Sequence, residues 1–392
     1  MITSTQETLF SKLECSQCGA TYSIFEPQTF SPCCAQPLVA QYNTKESFDK
    51  NELKERRTDM WRYAEMLPVL DEHNIVSLGE GMTPLFQLKN LGNAYGLSQL
   101  FIKDEGMNPT GSFKARGLSA AISKAKELGV EGCIIPTAGN AGGAMSAYCA
   151  AAGMRAVVVM PRHTPAAFKE ECELFGAELI LVDGLINDCA REVQKLKATG
   201  EYFDMSTLKE PYRLEGKKTM GYEIAEQLNW QLPDVILYPT GGGTGLIGIW
   251  KAFHEMLELG WIKGPLPRMI AVQAENCQPV MQVWNGLIPN AKGYKAKPSI
   301  ANGLAVPEPF GMKLIMQTLH ESNGFPVTVN ETDIVKGVRE MAMYEGVFVA
   351  PEGGAILMAL QQLIHEDMIA REDKILLLNT GSGYKYLENL RA

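Results

Sequence analysis

The chain has 392 residues, of which 46% are hydrophobic, and it carries a formal net charge of −9 at pH 7. This length and hydrophobic content allow two folded domains with large cores and exclude a disordered protein. The negative charge argues against nucleic acid as the main partner, and no apolar run is long enough to cross a membrane. The stretch 1–15 lacks the basic and apolar regions of a signal peptide, so we expect a cytoplasmic location.

Four of the nine cysteines lie in segment 13–40, which has no helical periodicity. Cys15 and Cys18 form a Cys-x-x-Cys-Gly turn, and Cys33 and Cys34 form a second cluster. Two such turns can supply four thiolates to a tetrahedral zinc ion. However, Ser31 stands where a second Cys-x-x-Cys turn needs a cysteine, and adjacent cysteines can seldom both reach one ion. Segment 1–42 is therefore either a zinc knuckle or a knuckle held by its own packing.

The other five cysteines lie in helical or apolar contexts, and we expect them to be buried thiols in a reducing compartment: Cys133, Cys149, Cys172, Cys189 and Cys277.

Residues 42–71 are charged, and Trp61, Tyr63 and Leu67 recur at helical spacing. This pattern predicts a surface helix that leads into the main body of the protein.

The stretch 103–117, KDEGMNPTGSFKARG, runs from a loop into an Ala-rich helical pattern. Thr110 or Ser112 can cap this helix, because a hydroxyl there accepts a hydrogen bond from a free amide. Lys114 then lies in the first turn, where the helix dipole disfavours a cation and makes the amine easier to deprotonate. A neutral lysine can form a Schiff base with an aldehyde cofactor. A solvated lysine at a helix start is the alternative.

Beyond Lys114, short apolar runs alternate with helical segments. The pattern predicts helices over 114–128, 145–152 and 168–175, and strands over 133–136, 156–160, 178–182, 235–238, 269–272 and 375–378. Such alternation is typical of βαβ units and of an α/β protein with mostly parallel sheets. Residues 201–218 are polar and irregular, which suits a crossing between two domains.

The strand over 235–238 runs into a glycine-rich loop, PTGGGTG. Consecutive glycines let backbone N–H groups converge on an anion, and the next helix adds its dipole. The loop has no Gly-Lys-Ser/Thr, so it is not a nucleoside-triphosphate loop. A dinucleotide site with Glu275 as its acidic residue is less consistent with the pattern than a phosphate monoester site. A tight turn without a ligand is the remaining alternative.

Two more stretches end predicted strands. Asn140 lies among glycines in 137–143, TAGNAGG, where its amide can face a planar ligand or can serve only the turn. Thr380 follows the last strand, at the edge of a parallel sheet where ligands bind. Its hydroxyl can bond a ring nitrogen or cap the following turn.

In this order, stretches 108–117, 137–143, 241–245 and 380–383 resemble the tryptophan-synthase-β-like (fold type II) family of pyridoxal-phosphate enzymes. The resemblance runs from about Gly79 to the C-terminus. Within that family, stretches 82–85, 221–228, 351–354 and 380–385 are similar to the threonine synthases.

The resemblance implies two three-layer α/β domains with mostly parallel sheets and the cofactor between them. The smaller domain would comprise residues 116–212, and the larger 43–115 and 213–392. The N-terminal knuckle, 1–42, would be added to these. Because enzymes of this family are commonly dimers, a homodimer is expected.

The resemblance also implies roles. Lys114 would hold pyridoxal 5′-phosphate as a Schiff base and move protons, Asn140 would bond the cofactor's 3′-oxygen, and Thr380 its ring nitrogen. A neutral hydroxyl at that nitrogen accompanies elimination and replacement reactions in this family. The cofactor phosphate would be bound by the loop residues Gly241, Gly242, Gly243, Thr244 and Gly245.

The implied reaction converts O-phospho-L-homoserine and water to L-threonine and phosphate, so the partner is a small amino-acid substrate. The candidate cations for the substrate phosphate are Arg116, Arg155, Arg162 and Lys385.

Two departures keep an alternative open. Threonine synthases usually carry an acidic residue after the lysine, where this chain has Ala115, and the GGGTG loop is closer to threonine dehydratases. A threonine or serine ammonia-lyase, or a β-replacement synthase, is the alternative on the same fold. A non-catalytic sensor whose knuckle binds a partner is a third hypothesis, which the intact lysine motif disfavours.

Overall fold

The computed structural model describes residues 8–46, 48–184 and 186–391. The expected N-terminal segment, 1–42, therefore begins outside the described residues. Within the described ranges, every helix is too short or too polar to cross a membrane.

The strands of the described ranges form three sheets. They are β1 (Phe10–Cys15), β2 (Thr21–Tyr22), β3 (Leu38–Tyr42), β4 (Leu85–Gln87), β5 (Leu100–Asp104), β6 (Gly132–Pro136), β7 (Arg155–Pro161), β8 (Glu178–Val182), β9 (Phe203–Asp204), β10 (Val235–Pro239), β11 (Arg268–Ala274), β12 (Phe325–Val329) and β13 (Ile375–Asn379).

The α-helices of the same ranges surround these sheets. They are α1 (Lys89–Tyr95), α2 (Lys114–Glu127), α3 (Asn140–Ala152), α4 (Ala166–Leu174), α5 (Ile186–Lys197), α6 (Tyr212–Gln227), α7 (Thr244–Glu258), α8 (Pro279–Trp284), α9 (Met312–Glu321), α10 (Glu331–Glu345), α11 (Pro351–His365) and α12 (Leu387–Arg391).

The two larger sheets are mostly parallel, as the alternating pattern predicts. One has the strand order β12-β11-β10-β13-β5-β4, in which only β4 is antiparallel to its neighbour. The other has the order β8-β7-β6-β9 and is entirely parallel. Strand β13, the last in the chain, lies in the middle of the larger sheet between β10 and β5. This crossover brings the chain's end beside the loop that precedes α2.

The N-terminal residues form a third, antiparallel sheet of order β2-β1-β3. Its apolar face, with Phe10, Leu13 and Leu38, belongs to the same core cluster as Leu118 of α2 and Tyr148 of α3. The knuckle is thus packed onto the body of the protein. The five cysteines outside it are all buried free thiols, as expected.

The surface helix predicted over 42–71 is wrong. The segment forms short 3₁₀ turns, and Trp61, Tyr63 and Leu67 are buried. Aspartate side chains cap the N-termini of two of these turns, so each turn begins separately. Pro68 disfavours helical geometry at the preceding residue, Leu67. The helical spacing of the aromatic residues therefore reports burial and not an exposed amphipathic helix.

The irregular crossing predicted over 201–218 is also wrong in its second half, where α6 begins at Tyr212. Every residue from Tyr212 to Ala225 is buried. The polar side chains that suggested a loop are paired inside the protein. For example, Lys218 forms ion pairs with Glu215 at 2.7 Å and with Glu255 at 3.1 Å.

A second buried ion cluster joins α2 and α6 to the loop after β5. Arg116 bonds Glu105 through Nε at 2.6 Å and Glu223 through Nη1 at 2.5 Å. Lys103 pairs with Glu223 at 2.8 Å, and all four side chains are fully buried. Two cations face two carboxylates here, so the cluster is internally neutral.

Removing Arg116 should leave two carboxylates buried with one cation. We expect Arg116→Met to lower the free energy of unfolding by about 3–5 kcal/mol, the usual cost of breaking a buried pair. Urea unfolding followed by circular dichroism measures this loss. The control is Arg155→Met, whose exposed partner Glu201 lies at 3.5 Å; it should cost less than about 1 kcal/mol. Equal losses in the two variants would contradict the assignment.

Candidate active site

One cavity lies between the two larger sheets, with a volume of about 570 Å³ that includes its open mouth. All eight residues expected to bind the cofactor line it, and they come from four separate stretches of the chain: Lys114, Asn140, Gly241, Gly242, Gly243, Thr244, Gly245 and Thr380. The sequence motifs therefore converge in space.

Lys114 is the first residue of α2, as its first-turn position predicts. The helix start differs from the expected cap. Thr110 has left-handed backbone geometry (φ 56°) inside a 3₁₀ turn, and its buried hydroxyl has no partner among the described residues. Ser112 Oγ accepts a long hydrogen bond from the Lys114 amide at 3.4 Å. The helix is held instead from the C-terminal segment, since the Phe113 amide donates to the Thr380 carbonyl at 3.1 Å.

The Lys114 side chain is partly exposed at the cavity, and desolvation of its amine by the surrounding protein lowers its pKa to about 7. The nearby Arg213 guanidinium lowers the pKa further, and the Glu352 carboxylate opposes the shift. Burial disfavours the charged form, and a neighbouring cation does the same. A substantial fraction of the amine is therefore neutral at neutral pH and able to act as a nucleophile or base.

The glycine loop is packed so closely that side chains would not fit. A Cβ on Gly241 would lie 2.2 Å from the Gly303 carbonyl oxygen, and one on Gly245 would lie 1.8 Å from the Tyr238 hydroxyl oxygen. Gly243 has left-handed geometry (φ 78°) and precedes α7, which begins at Thr244. The loop amides and the N-terminus of α7 thus form a compact cradle for an anion.

Asn140 begins α3 on the opposite side of the cavity. Its amide nitrogen donates to the Tyr386 hydroxyl at 3.3 Å, while its buried Oδ1 has no partner in the described ranges. The Tyr386 hydroxyl lies 3.4 Å from Glu352 Oε1, which accepts a hydrogen bond from the Gly303 amide at 2.6 Å. The oriented Asn140 side chain therefore presents an unused polar atom at the cavity.

Thr380 directly follows β13 and is buried. Around it, Ser112 and Gly381 form an antiparallel bridge, and the Ser382 amide donates to the Gly111 carbonyl at 2.9 Å. The backbone at the end of the chain thus fixes both Thr380 and the start of α2. A single local unit carries Thr380 and Lys114.

Several residues at the site were not singled out from the sequence. Thr207, Tyr238, Val306 and Glu352 also line the cavity. Glu352 lies in the PEGG stretch at 351–354, whose similarity to threonine synthases could have drawn attention to it. Thr207 and Val306 lie in irregular segments without a recognisable pattern, so no sequence signal was available for them.

The four cations considered for the substrate phosphate are all paired with acids. Arg116 belongs to the buried neutral cluster, Arg155 and Arg162 are exposed beside Glu201 and Asp183, and Lys385 Nζ lies 2.7 Å from Glu171.

Two other basic residues interact electrostatically with Lys114, and they were missed because the start of α6 was interpreted as an irregular segment. Arg213 is fully buried; its Nη1 donates to the Met205 carbonyl, while Nε and Nη2 have no hydrogen-bond partner in the described ranges. Lys217 Nζ donates to the Thr244 hydroxyl at 2.6 Å, and burial together with Lys114 and Arg213 lowers its pKa well below the usual value. Glu210 is the nearest acid to Arg213, at 4.0 Å. The site therefore brings three basic side chains together, Lys114, Arg213 and Lys217, and the pKa of each is lowered.

The residues present fit pyridoxal phosphate. The glycine cradle is a place for a phosphate, the unpartnered Asn140 Oδ1 for a polar substituent, and Lys114 for an aldehyde carbon. Lys217 adds a buried amine beside the cradle, and a bound phosphate would favour its protonated form.

Comparison with known proteins agrees with this geometry. A family model described as "Pyridoxal-phosphate dependent enzyme" matches residues 76–381. The chain belongs to this family and is a pyridoxal-phosphate-dependent lyase. It is 34% identical over 375 residues to a threonine synthase of Methanocaldococcus jannaschii, covering 95% of this chain and 92% of the relative. It is 32% identical over 371 residues to a threonine synthase of Methanosarcina acetivorans, covering 94% and 91%.

Solved structures show the same fold. An O-ureido-L-serine synthase matches with a TM-score of 0.66 and 20% identity, covering 78% of this chain and 90% of that one. Threonine deaminase isoform 2 from Solanum lycopersicum matches with a TM-score of 0.65 and 18% identity, covering 88% and 89%. The predicted fold class is confirmed: it is the α/β fold of the fold type II enzymes, with mostly parallel sheets.

The Lys114 pKa makes a testable prediction about cofactor capture. Only the neutral amine attacks an aldehyde, so the capture rate of pyridoxal phosphate by the cofactor-free protein should rise with pH through about 7. Stopped-flow absorbance measures this profile. Removing the neighbouring cation in Arg213→Met should raise the Lys114 pKa and move the profile to higher pH. Lys126→Gln, at the exposed far end of α2, is the control and should leave it unchanged; a pH-independent rate would refute the assignment.

Proposed function

We propose that this protein is a threonine synthase, which converts O-phospho-L-homoserine and water to L-threonine and inorganic phosphate. The observation that carries the proposal is the group of buried basic side chains around Lys114, which includes Arg213 and Lys217 and whose charged forms are disfavoured by burial. Bound phosphate would stabilise these charged forms, and a site for both a cofactor phosphate and a substrate phosphate needs such basic groups. The two threonine synthases described above support the same assignment, because the chain matches each of them over most of its length.

In this proposal, Lys114 holds the aldehyde carbon of pyridoxal phosphate, Asn140 bonds its 3′-oxygen and Thr380 faces its ring nitrogen. The backbone of the glycine loop binds the cofactor phosphate, with Lys217 as its cationic support through Thr244. When bound, the cofactor supplies an electron sink for negative charge that develops on the substrate carbons. The protein supplies position, charge and proton transfer.

Lys114 is placed to move protons, since its pKa of about 7 lets it both accept and return them at neutral pH. Its amine would remove one proton from Cα and one from Cβ of the substrate, and the electron pair of the broken Cβ–H bond would expel phosphate from Cγ. Arg213 would compensate the charge of the released phosphate. One proton would then return to Cγ and one to Cα, while water would add its hydroxyl at Cβ and give its remaining proton to phosphate, which yields threonine.

The decisive experiment gives the purified, pyridoxal-phosphate-loaded protein O-phospho-L-homoserine and follows phosphate and threonine together. Equimolar release of both supports the proposal. No phosphate release, with a 2-oxo acid formed from threonine or serine instead, would favour an ammonia-lyase, the alternative that Ala115 and the GGGTG loop suggest. The Lys114→Ala protein is the matched blank. Borohydride reduction of the loaded protein should fix the cofactor on Lys114 and on no other lysine.

The role of Arg213 gives a quantitative prediction. Arg213→Met should raise KM for O-phospho-L-homoserine by about 10- to 100-fold, because a charge-assisted contact to a phosphate is lost. Inhibition by inorganic phosphate should weaken in parallel, while the bound cofactor remains. Arg162→Met removes an exposed arginine that pairs with Asp183, and it should leave KM unchanged. An unaltered KM in Arg213→Met would contradict the assignment of this residue.

We further propose that residues 116–212 form the smaller domain and residues 43–115 with 213–392 the larger one. The partition of strands supports this division, since β6–β9 make one sheet and β4, β5 and β10–β13 the other. The homodimeric state and the cytoplasmic location stay predictions. Sedimentation velocity and cell fractionation test them.

A further inference from the structure

Four thiols of the N-terminal sheet converge on one point. The Sγ atoms of Cys15, Cys18, Cys33 and Cys34 all lie within 4.8 Å of one another, and those of Cys18 and Cys33 are 3.4 Å apart. A tetrahedral zinc ion with Zn–S bonds of about 2.3 Å places its sulfurs about 3.8 Å apart. The four thiols therefore already have the spacing of a zinc site. Adjacent cysteines can seldom both reach one ion, but here the Sγ atoms of Cys33 and Cys34 both lie in the same cluster.

Two tight turns produce this convergence. The first follows β1, where the Gly19 amide donates to the Cys15 carbonyl at 2.9 Å and Gly19 adopts left-handed geometry (φ 73°). The Gln17 amide points at Cys15 Sγ, 3.4 Å away. The second turn is closed by Ala35, whose amide donates to the Ser31 carbonyl at 2.8 Å and whose φ is 50°. Ser31 thus shapes the second turn and does not need to be a ligand.

A disulfide does not account for the cluster. A disulfide uses two sulfurs, whereas here two further thiols, including the buried Cys15, lie at the same point. Thiols that close together cannot all ionise without a cation, and a divalent ion that binds thiolates removes this repulsion. Four sulfur ligands in tetrahedral reach select zinc among the common divalent ions.

The knuckle also contacts the segment that backs the glycine loop. The Phe30 ring packs edge-on against Phe310 with centroids 5.7 Å apart, and Lys313 Nζ lies 2.5 Å from Gln17 Oε1. The same segment, 303–313, closes the cradle: the Gly303 carbonyl lies against Gly241. The knuckle thus contacts segment 303–313, and that segment in turn contacts the glycine loop.

We propose that Cys15, Cys18, Cys33 and Cys34 bind one Zn²⁺, and that the zinc-bound knuckle holds segment 303–313 against the glycine loop. The second clause rests on the proposed role of that loop as the cofactor-phosphate site. Zinc is a structural ion here, remote from the reacting atoms, and its four protein ligands leave no open position for substrate.

The first test measures metal in the full-length protein. Plasma mass spectrometry should find about one zinc per chain, and growth with cobalt should give the intense thiolate-to-Co²⁺ absorption of a four-sulfur site. Cys18→Ser should lose the metal, whereas Cys18→His should keep it, because imidazole can replace one thiolate at zinc. Cys189→Ser, a buried thiol elsewhere, is the matched control. The zinc site is overturned if the wild-type protein contains no metal. It is also overturned if mass spectrometry finds a disulfide among these cysteines in cell extracts prepared under reducing conditions.

The second test measures the coupling to the cofactor. Cys18→Ser should weaken pyridoxal-phosphate binding about three- to tenfold, the usual range for coupling through packed contacts. Phe310→Ala should lose a similar amount of pyridoxal-phosphate affinity while it retains zinc, so it separates the effect of the Phe30–Phe310 contact from the effect of the metal. This variant also tests the coupling if Cys18→Ser fails to fold. Unchanged cofactor affinity in Phe310→Ala overturns the coupling. Neither readout uses O-phospho-L-homoserine, so both are independent of the proposed reaction.

Discussion

The site depends on burying several basic side chains around Lys114. Arg213 and Lys217 lie one turn apart on α6, and Arg213 lowers the pKa of both Lys114 and Lys217. The acids nearby do not stabilise the charged forms fully, because burial raises the pKa of Glu210 to about 7 and also raises the pKa of Glu352. A buried cation without a partner is costly. Anions bound in the cavity would complete these interactions, which makes the site one for phosphorylated ligands.

The contrast with the second face of the same helices is informative. Where α2 and α6 meet the loop after β5, Arg116 is matched by Glu105 and Glu223 and needs no further partner. Two residues earlier on α2, the pKa of Lys114 is lowered to about 7 by burial and by the nearby Arg213. The close approach of the helices explains how both can occur, since Gly117 and Gly216 bring their backbones together: a Cβ on Gly216 would lie 2.0 Å from the Arg116 carbonyl oxygen. One face stabilises the fold, and the other is left to bind anions.

The sequence was most informative where chemistry needs a local pattern. The glycine loop and the first-turn position of Lys114 are properties of contiguous residues, and both were predicted. Arg213 and Lys217 were not, because a helix buried on all sides has no amphipathic period and its paired charges imitate a solvated loop. The same reasoning explains segment 42–71, whose helical spacing reflects burial of Trp61 and Tyr63 in separate short turns. The geometry at Cys33 and Cys34 depends on a left-handed Ala35, which no sequence pattern indicates.

The glycines of the loop have no side chains with which to hold its shape, so the shape depends on what surrounds them. Gly241 is bounded by Gly303, Gly243 by Ile315 of α9, and Gly245 by Tyr238 of β10. Rigid donors bind an anion well because they need not reorganise, and here the rigidity is supplied by the adjoining strand β10 and by the distant segment that contains Gly303 and Ile315. The segment before α9 has little regular structure of its own and is fixed by what packs on it, including Phe30. A small appended sheet can therefore contribute to a phosphate site that none of its residues touches.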